Sequence, residues 1–159
     1  MAERNFSLRV AFAQTAQFPI IASIMETEYI HWSSKYTREY IESYLNSDKS
    51  IAGILIATNE ADYCNGFLTY RIQPTRLNLN LTGLNDFKTF LNITDLLCSN
   101  TFFCKTILFS LFNKAIEVCE LNNCHLLQVP KIDDLHQQIK PKFKDKIIKE
   151  EPDSTFLKI

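Results

Sequence analysis

Residues 90–130 read FLNITDLLCSNTFFCKTILFSLFNKAIEVCELNNCHLLQVP, and the fold turns on them. The first eight residues are a short apolar run of strand character. Ser99, Asn100 and Thr101 then supply side chains that cap a helix N-terminus. Behind them lies the clearest helical pattern in the chain. Leu108, Leu111, Phe112, Ala115, Ile116 and Cys119 share one face, and Glu117 and Glu120 fall on the other. Asn122-Asn123 ends the helix with a residue type that tolerates the left-handed conformation. Residues 125–129 form a compact strand closed by Pro130. Strand, long helix and strand in succession predict a parallel pair joined by a helical crossover.

Towards the N-terminus, residues 5–13 alternate, with Phe6, Leu8, Val10 and Phe12 on one face, and predict a first strand. Pro19 suits the first turn of a helix, where its missing N–H costs nothing. Ile20, Ile21, Ile24, Met25 and Tyr29 carry the helical stripe onward. A second helix is expected from Thr37 as N-cap, with Glu39 in its first turn, fading near Asn46. Residues 51–58 and 66–71 form a hairpin around a turn at 59–62. Residues 77–81 alternate Leu and Asn, and either extend that hairpin or form an inserted strand. Beyond the central unit, residues 133–139 predict a short helix limited by Pro141. Residues 143–149 and 154–159 predict a last pair of strands. The order β-α-α-β-β-β-α-β-α-β gives an α/β fold with a mixed, α+β-type sheet, antiparallel in its first half and parallel across the main helix.

Composition sets the outer limits. The 159 residues, 46% of them hydrophobic with a net charge of -1, make one domain spanning 1–159 and no disordered tail. Near-neutral charge argues against bulk nucleic-acid binding, and no apolar run reaches the ~18–20 residues that cross a bilayer. Three glycines leave no room for a glycine-rich phosphate loop of the usual kind. Five cysteines, an odd number, suit reduced thiols in a cytoplasmic setting, of the source cell or of a recipient cell. Cys98, Cys104, Cys119, Cys124 and His125 lack the C-x-x-C spacing of a zinc site, so no metal is expected.

The element order resembles the GNAT superfamily of acyl-CoA-dependent N-acyltransferases, with a splayed central sheet. Gly66-Phe67-Leu68-Thr69-Tyr70 resembles that family's third strand. Ile93 to Leu97 resembles its fourth, the start of the helix at Thr106 matches the helix after the cofactor loop, and His125 to Pro130 resembles the fifth strand. Lys142-Phe143 stands where a Gly-Phe step is common. The cofactor loop departs from the family pattern. Asn100 takes the Arg/Gln position, Phe103 the first glycine and Lys105 the second, and Gln138 falls near the usual general-acid tyrosine.

The resemblance implies acetyl-CoA as cosubstrate and transfer of its acetyl group to an amine, on a small molecule or a protein, by direct attack. Leu96, Leu97 and Cys98 would pair with the pantetheine arm. Asn100, Phe103, Cys104, Lys105 and Thr106 would border the pyrophosphate at the helix N-terminus. Asp95 sits where the family often places a general base; read by itself it is a solvent-facing strand carboxylate. Cys104, in the first helical turn, is either a reactive thiol or a small buried residue. Tyr29, Trp32, Tyr36, Tyr40 and Tyr44 recur every three or four residues. They either pack two helices on the sheet or border the acceptor site, with Trp32 and Tyr36 the candidates for substrate contact. Lys140, Lys142, Lys144, Lys146 and Lys149 form the one basic cluster, a solvated face or a contact for phosphate or an acidic partner. The competing reading is a non-catalytic module of the same fold, a pseudoenzyme that regulates or holds a protein partner.

Overall fold

In the computed structural model, which describes residues 8–61, 63–77, 84, 86–99 and 103–159, the chain runs β1 (Arg9–Phe12), α1 (Phe18–Glu28), α2 (Ser34–Leu45), β2 (Ala52–Thr58), β3 (Cys64–Pro74), β4 (Thr89–Cys98), α3 (Cys104–Leu121), β5 (Leu126–Pro130), α4 (Asp133–Lys142), β6 (Ile147–Glu150) and β7 (Ser154–Lys158). The strands form one sheet in the order β1-β2-β3-β4-β5-β7-β6. Every neighbouring pair is antiparallel except β4 and β5, which run parallel as the strand–helix–strand pattern requires.

Helices cover both faces. On one, Leu108, Leu111 and Phe112 of α3 and Leu135 and Ile139 of α4 share a core with Leu55, Leu68, Tyr70, Leu91 and Leu127 of the sheet. On the other, Ile21 and Met25 of α1 and Ile41 and Tyr44 of α2 meet Ile54, Ile56 and Phe67. The predicted stripe of α3 is buried apart from half-buried Ile116, and Asn123 ends the turn at φ 52°.

Several boundaries differ from the sequence reading. Ser33, not Thr37, caps α2: its extended backbone lets the Ser33 hydroxyl accept from the Tyr36 N–H at 3.1 Å. Thr37 is buried one turn inside and donates its hydroxyl to the Ser33 carbonyl. Helix α3 starts at Cys104 with Phe103 as N-cap, a residue whose side chain makes no capping hydrogen bond. Helix α4 runs one residue past Pro141, which sits in its final turn. Residues 144–146 form a 3-10 turn, so the penultimate strand begins only at Ile147. Phe6, residues 78–81, Gly83, Asn100, Thr101 and Phe102 lie outside the described residues, and Leu77 ends a 3-10 turn after β3.

Two features of β4 set the geometry of its C-terminal half. Leu91, Ile93 and Leu96 all enter the core under α3, although strict alternation would send residue 95 there. The register explains this: Tyr70 faces Ile93 and Thr69 faces Asp95, leaving Thr94 as the extra residue of a β-bulge. Thr94 and Asp95 therefore both turn towards α1 and α2, where their hydrogen-bond partners lie. The second feature is a parting of strands. β4 pairs with β5 only at Leu91–Leu127 and Asn92–Gln128, and the sheet opens beyond that point.

Gly66 makes this geometry possible from the β3 side. A Cβ there would stand 2.6 Å from the Leu97 carbonyl oxygen and 2.9 Å from Ile107 Cγ2, so β3, β4 and the first turn of α3 meet at one bare backbone position.

Candidate functional site

Where β4 and β5 part, a cleft of about 380 Å³ opens, within the range that holds small ligands. The far end of β4, from Thr94 to Cys98, forms one wall. Cys104 and Leu108 of α3, Pro130 at the end of β5 with Ile132 after it, and Ile24 and Glu28 of α1 with Tyr29 at its C-cap complete it. On the β5 side, residues 93–97 have no strand partner among the described residues, so an extended chain can add to the sheet there. Phe103, at a glycine position of the family loop, is 41% exposed and does not line the cleft.

Asp95 lines the cleft and is only 5% exposed, which replaces the solvent-facing reading with a buried one. Tyr29 donates to Oδ1 at 2.6 Å, Thr69 donates to Oδ2 at 2.5 Å, and Tyr40 also donates to Oδ2. Three hydroxyl donors are the kind of compensation a buried carboxylate needs. A carboxylate offers about four lone-pair positions. With two donors on Oδ2 and one on Oδ1, the remaining position belongs to Oδ1.

A second tier stands behind the first. Thr94 Oγ1 lies 2.6 Å from Thr69 Oγ1 and 2.8 Å from the Tyr44 hydroxyl, and the Tyr40 and Tyr44 hydroxyls are 3.2 Å apart. Burial raises the pKa of Tyr29 and Tyr40 well above the ordinary phenol value, and the hydrogen bonds and charge of Asp95 raise both further. These phenols stay protonated and act as donors.

The aromatic ladder of the first two helices thus has two jobs. Tyr29 stacks on Trp32 at 4.4 Å, and Trp32 meets Tyr36 and Tyr40 edge-on at 4.8 and 5.0 Å. Tyr36 is exposed and Trp32 half-buried, so both lie along the outer run of the ladder, while Tyr29, Tyr40 and Tyr44 turn inward to the polar network. The roles of Tyr29, Tyr40, Thr69 and Thr94 were missed in the sequence. The signal that points to them is the broken alternation Leu91, Ile93, Leu96.

The other predicted positions divide. Leu96, Leu97, Cys98 and Cys104 line the cleft beside Asp95. Lys105 and Thr106 are exposed on the outside of the first α3 turn. The carbonyl of Lys105 accepts from Gln138 Nε2 at 3.1 Å, so Gln138 ties α4 to the start of α3, and its amide also holds the Asp134 carbonyl at 3.0 Å. Lys142 lies over the Phe109 ring and Lys149 over Phe156, so part of the basic run is spent on packing.

No protein-family model matches the chain, and no curated protein matches it by sequence. Solved structures do match it. NAA60 of Arabidopsis thaliana in complex with acetyl-CoA aligns at 12% identity and TM-score 0.67, over 95% of this chain and 97% of that one. The NatC complex bound to Gag peptide and CoA aligns at 12% identity and TM-score 0.66, over 96% and 99%. An acetyltransferase of the GNAT family from Staphylococcus aureus aligns at 13% identity and TM-score 0.59, over 96% and 99%. The chain has the GNAT acetyltransferase fold, nearly end to end.

Proposed function

We propose that the protein binds an acyl-CoA in the cleft between β4 and β5 and transfers its acetyl group to an amine. The observation that carries this reading is the position of Asp95. A buried carboxylate with one open lone pair shares a cleft with the unpaired stretch of β4, and such a stretch accepts an extended pantetheine arm as it would a strand. The same fold occurs in solved structures that hold acetyl-CoA or CoA.

In this reading Leu96, Leu97 and Cys98 hold the arm through β4 backbone groups, and a backbone N–H there polarises the thioester carbonyl. Oδ1 of Asp95 accepts one proton from the acceptor's ammonium, which frees the nitrogen lone pair. The amine nitrogen then bonds to the carbonyl carbon, the carbon–sulfur bond breaks, and the second nitrogen proton leaves on the thiol. Tyr29 keeps its proton throughout and fixes the carboxylate plane. Gln138 cannot supply a proton, and its amide is engaged on two carbonyls, so this chain does not use that position as an acid.

The second reading, a non-catalytic regulatory or protein-interaction module of the same fold, draws support from Phe103 and Lys105 at the loop's glycine positions. Calorimetry with acetyl-CoA, followed by an amine panel assayed for released thiol, tests both. The transferase reading expects micromolar binding, and an Asp95→Asn variant that binds equally but turns over about 10²–10⁴-fold more slowly. Binding with no turnover on any amine leaves the module; no heat at millimolar acetyl-CoA overturns the transferase reading and leaves a fold kept for its surface.

A further inference from the structure

Arg71 stands on β3 in the row next to the site. Thr69 faces Asp95 across β3 and β4, and Arg71 faces Asn92 in the next pair on the same side of the sheet. Asn92 in turn faces Gln128 on β5. Two residues of strand set these rows about 7 Å apart. Cross-strand partners project to one side of a sheet, and the contacts of Arg71 fix which side. Its Nε–H donates to the Tyr44 hydroxyl at 3.2 Å and its Nη2 donates to Ser43 Oγ at 3.3 Å, both on α2. Arg71, Asn92 and Gln128 therefore make a half-buried polar row on the face that carries the Asp95 network.

This row holds unspent hydrogen-bonding capacity. A guanidinium has five N–H donors. Arg71 gives one to each of two neutral oxygens, which leaves three among the described residues. The guanidinium lies 4.4 Å from the Tyr44 ring centre, a stacking contact that fixes its orientation. Among the described residues no ion pair involves Arg71. Asn92 makes no side-chain hydrogen bond among the described residues. Gln128 spends one amide N–H on Ser154 Oγ at 3.1 Å and keeps its other donor and its carbonyl. At that end of the row the Ser154 hydroxyl donates to Glu151 at 3.4 Å, and Glu151 is already met by Lys149 at 3.5 Å. Arg71 is thus a cation partly withdrawn from water, without the anion that would offset its desolvation. Its planar fork is the shape that takes a carboxylate through two parallel hydrogen bonds.

We propose that Arg71, with Asn92 beside it, binds a carboxylate on the acceptor, so that the acceptor is a small amino acid whose ammonium meets Asp95. The ammonium end rests on the transferase reading, and the carboxylate end rests on the Arg71 row. Asp95 and Arg71 have opposite charges and stand in adjacent rows of one face. They match a zwitterion whose charges are separated by a short carbon chain. Glu28 also lines the cleft, and a diamine would turn its second ammonium there instead. The two acceptor classes therefore part on the sign of the charge at the far end.

The test compares 4-aminobutanoate with 1-aminobutane and 1,4-diaminobutane, which share an amine on a four-carbon chain and differ in the far group. Glycine and glycinamide make the same comparison at the shortest spacing. Each is titrated into the ¹⁵N-labelled full chain, with and without saturating CoA, while NMR follows the Arg71 Nε–H signal, assigned by its loss in Arg71→Lys. A saturable shift is expected with at least one of the two acids, at about tenfold lower concentration than with its neutral or dicationic counterpart. Arg71→Gln, read at the Asn92 backbone amide, is expected to cut that preference about tenfold. Should Arg71→Gln fail to fold, Asn92→Ala removes a side chain that holds nothing in the fold and lowers the preference in the same direction. No saturable shift with either acid, or a preference for the diamine, overturns the inference. Acid binding without thiol release from acetyl-CoA keeps the carboxylate site and removes the transferase. Equal kcat/KM for acid, amine and diamine does the reverse.

Discussion

Two of the phenols that hold Asp95, with a third in the main core, tie the stability of this domain to alkaline pH. Burial pushes the pKa of Tyr29, Tyr40 and Tyr70 well above the ordinary value near 10. Asp95 adds to the first two, and the charge of Asp48 adds to the third. In the unfolded chain all three release their protons near pH 10. The folded state keeps them, so above that pH the native form binds more protons than the unfolded form. Stability therefore falls as pH rises, by about 1.4 kcal/mol per pH unit for each group and about 4 kcal/mol per pH unit for the three. Below pH 10 the contribution is fully present. A domain of this size holds roughly 5–15 kcal/mol in total, so the fall consumes it within a few pH units. Urea melts followed by circular dichroism from pH 8 to about 11.5 measure the slope, and absorbance at 295 nm reports phenolate. Tyr29→Phe and Tyr70→Phe, one near the site and one in the core, are each expected to lessen the slope by about a third. The reasoning fails if neither variant changes it. It fails equally if all six tyrosines ionise near pH 10 while the dichroism stays native.

Gly66→Ala places a methyl group 2.6 Å from the Leu97 carbonyl and 2.9 Å from Ile107. Overpacking of this kind costs about 1–3 kcal/mol, or roughly 2–12 °C of melting temperature in a chain this long. Because the displaced carbonyl belongs to the cleft wall, the variant is also expected to bind acetyl-CoA less tightly, as calorimetry will show. Thiol labelling read by peptide mass spectrometry tests the cleft without any acceptor. Cys98 and Cys104 are half-buried at the cleft and are expected to label first and to be shielded by acetyl-CoA. Cys64, buried and pushed up to about 11 by that burial, stays unmodified in the native protein.

Periodicity carried most of the architecture. The stripe of α3, the parallel step to β5 and the β2–β3 hairpin all follow from apolar spacing, because each buries one face against a neighbour and leaves the other to water. What the spacing could not carry were ends and hydroxyls. The cap of α2 moved from Thr37 to Ser33 because a threonine inside a helix can turn its hydroxyl back on the preceding turn, and residue type alone does not separate the two uses. Asp95 looked exposed because strands usually alternate and a lone carboxylate usually meets solvent. The Thr94 bulge breaks that alternation, and the partners that make burial tolerable come from residues 29, 40 and 69, far away in sequence. By sequence, Trp32 and Tyr36 stand ahead of Tyr29 and Tyr40 as contact candidates, for their place in the turn between helices. The reach of a tyrosine into the sheet depends on helix rotation, which sequence spacing leaves open.

Stability by itself does not account for Asp95. Taking a carboxylate out of water costs several kcal/mol, and three hydroxyl donors only offset that cost. Phenylalanine at 29 and 40, with aliphatic residues at 69, 94 and 95, would pack a face of similar volume with no charge to compensate, and exchanges of that kind are often neutral or stabilising. The chain instead commits three hydroxyl donors, with two further hydroxyls behind them, to one carboxylate in the wall of a cleft. It also leaves one acceptor position on Oδ1 unfilled among the described residues, although a fourth donor would have completed the set. An arrangement that serves packing alone would close its last acceptor; the open position on Oδ1 is what the proposed proton transfer from an amine requires.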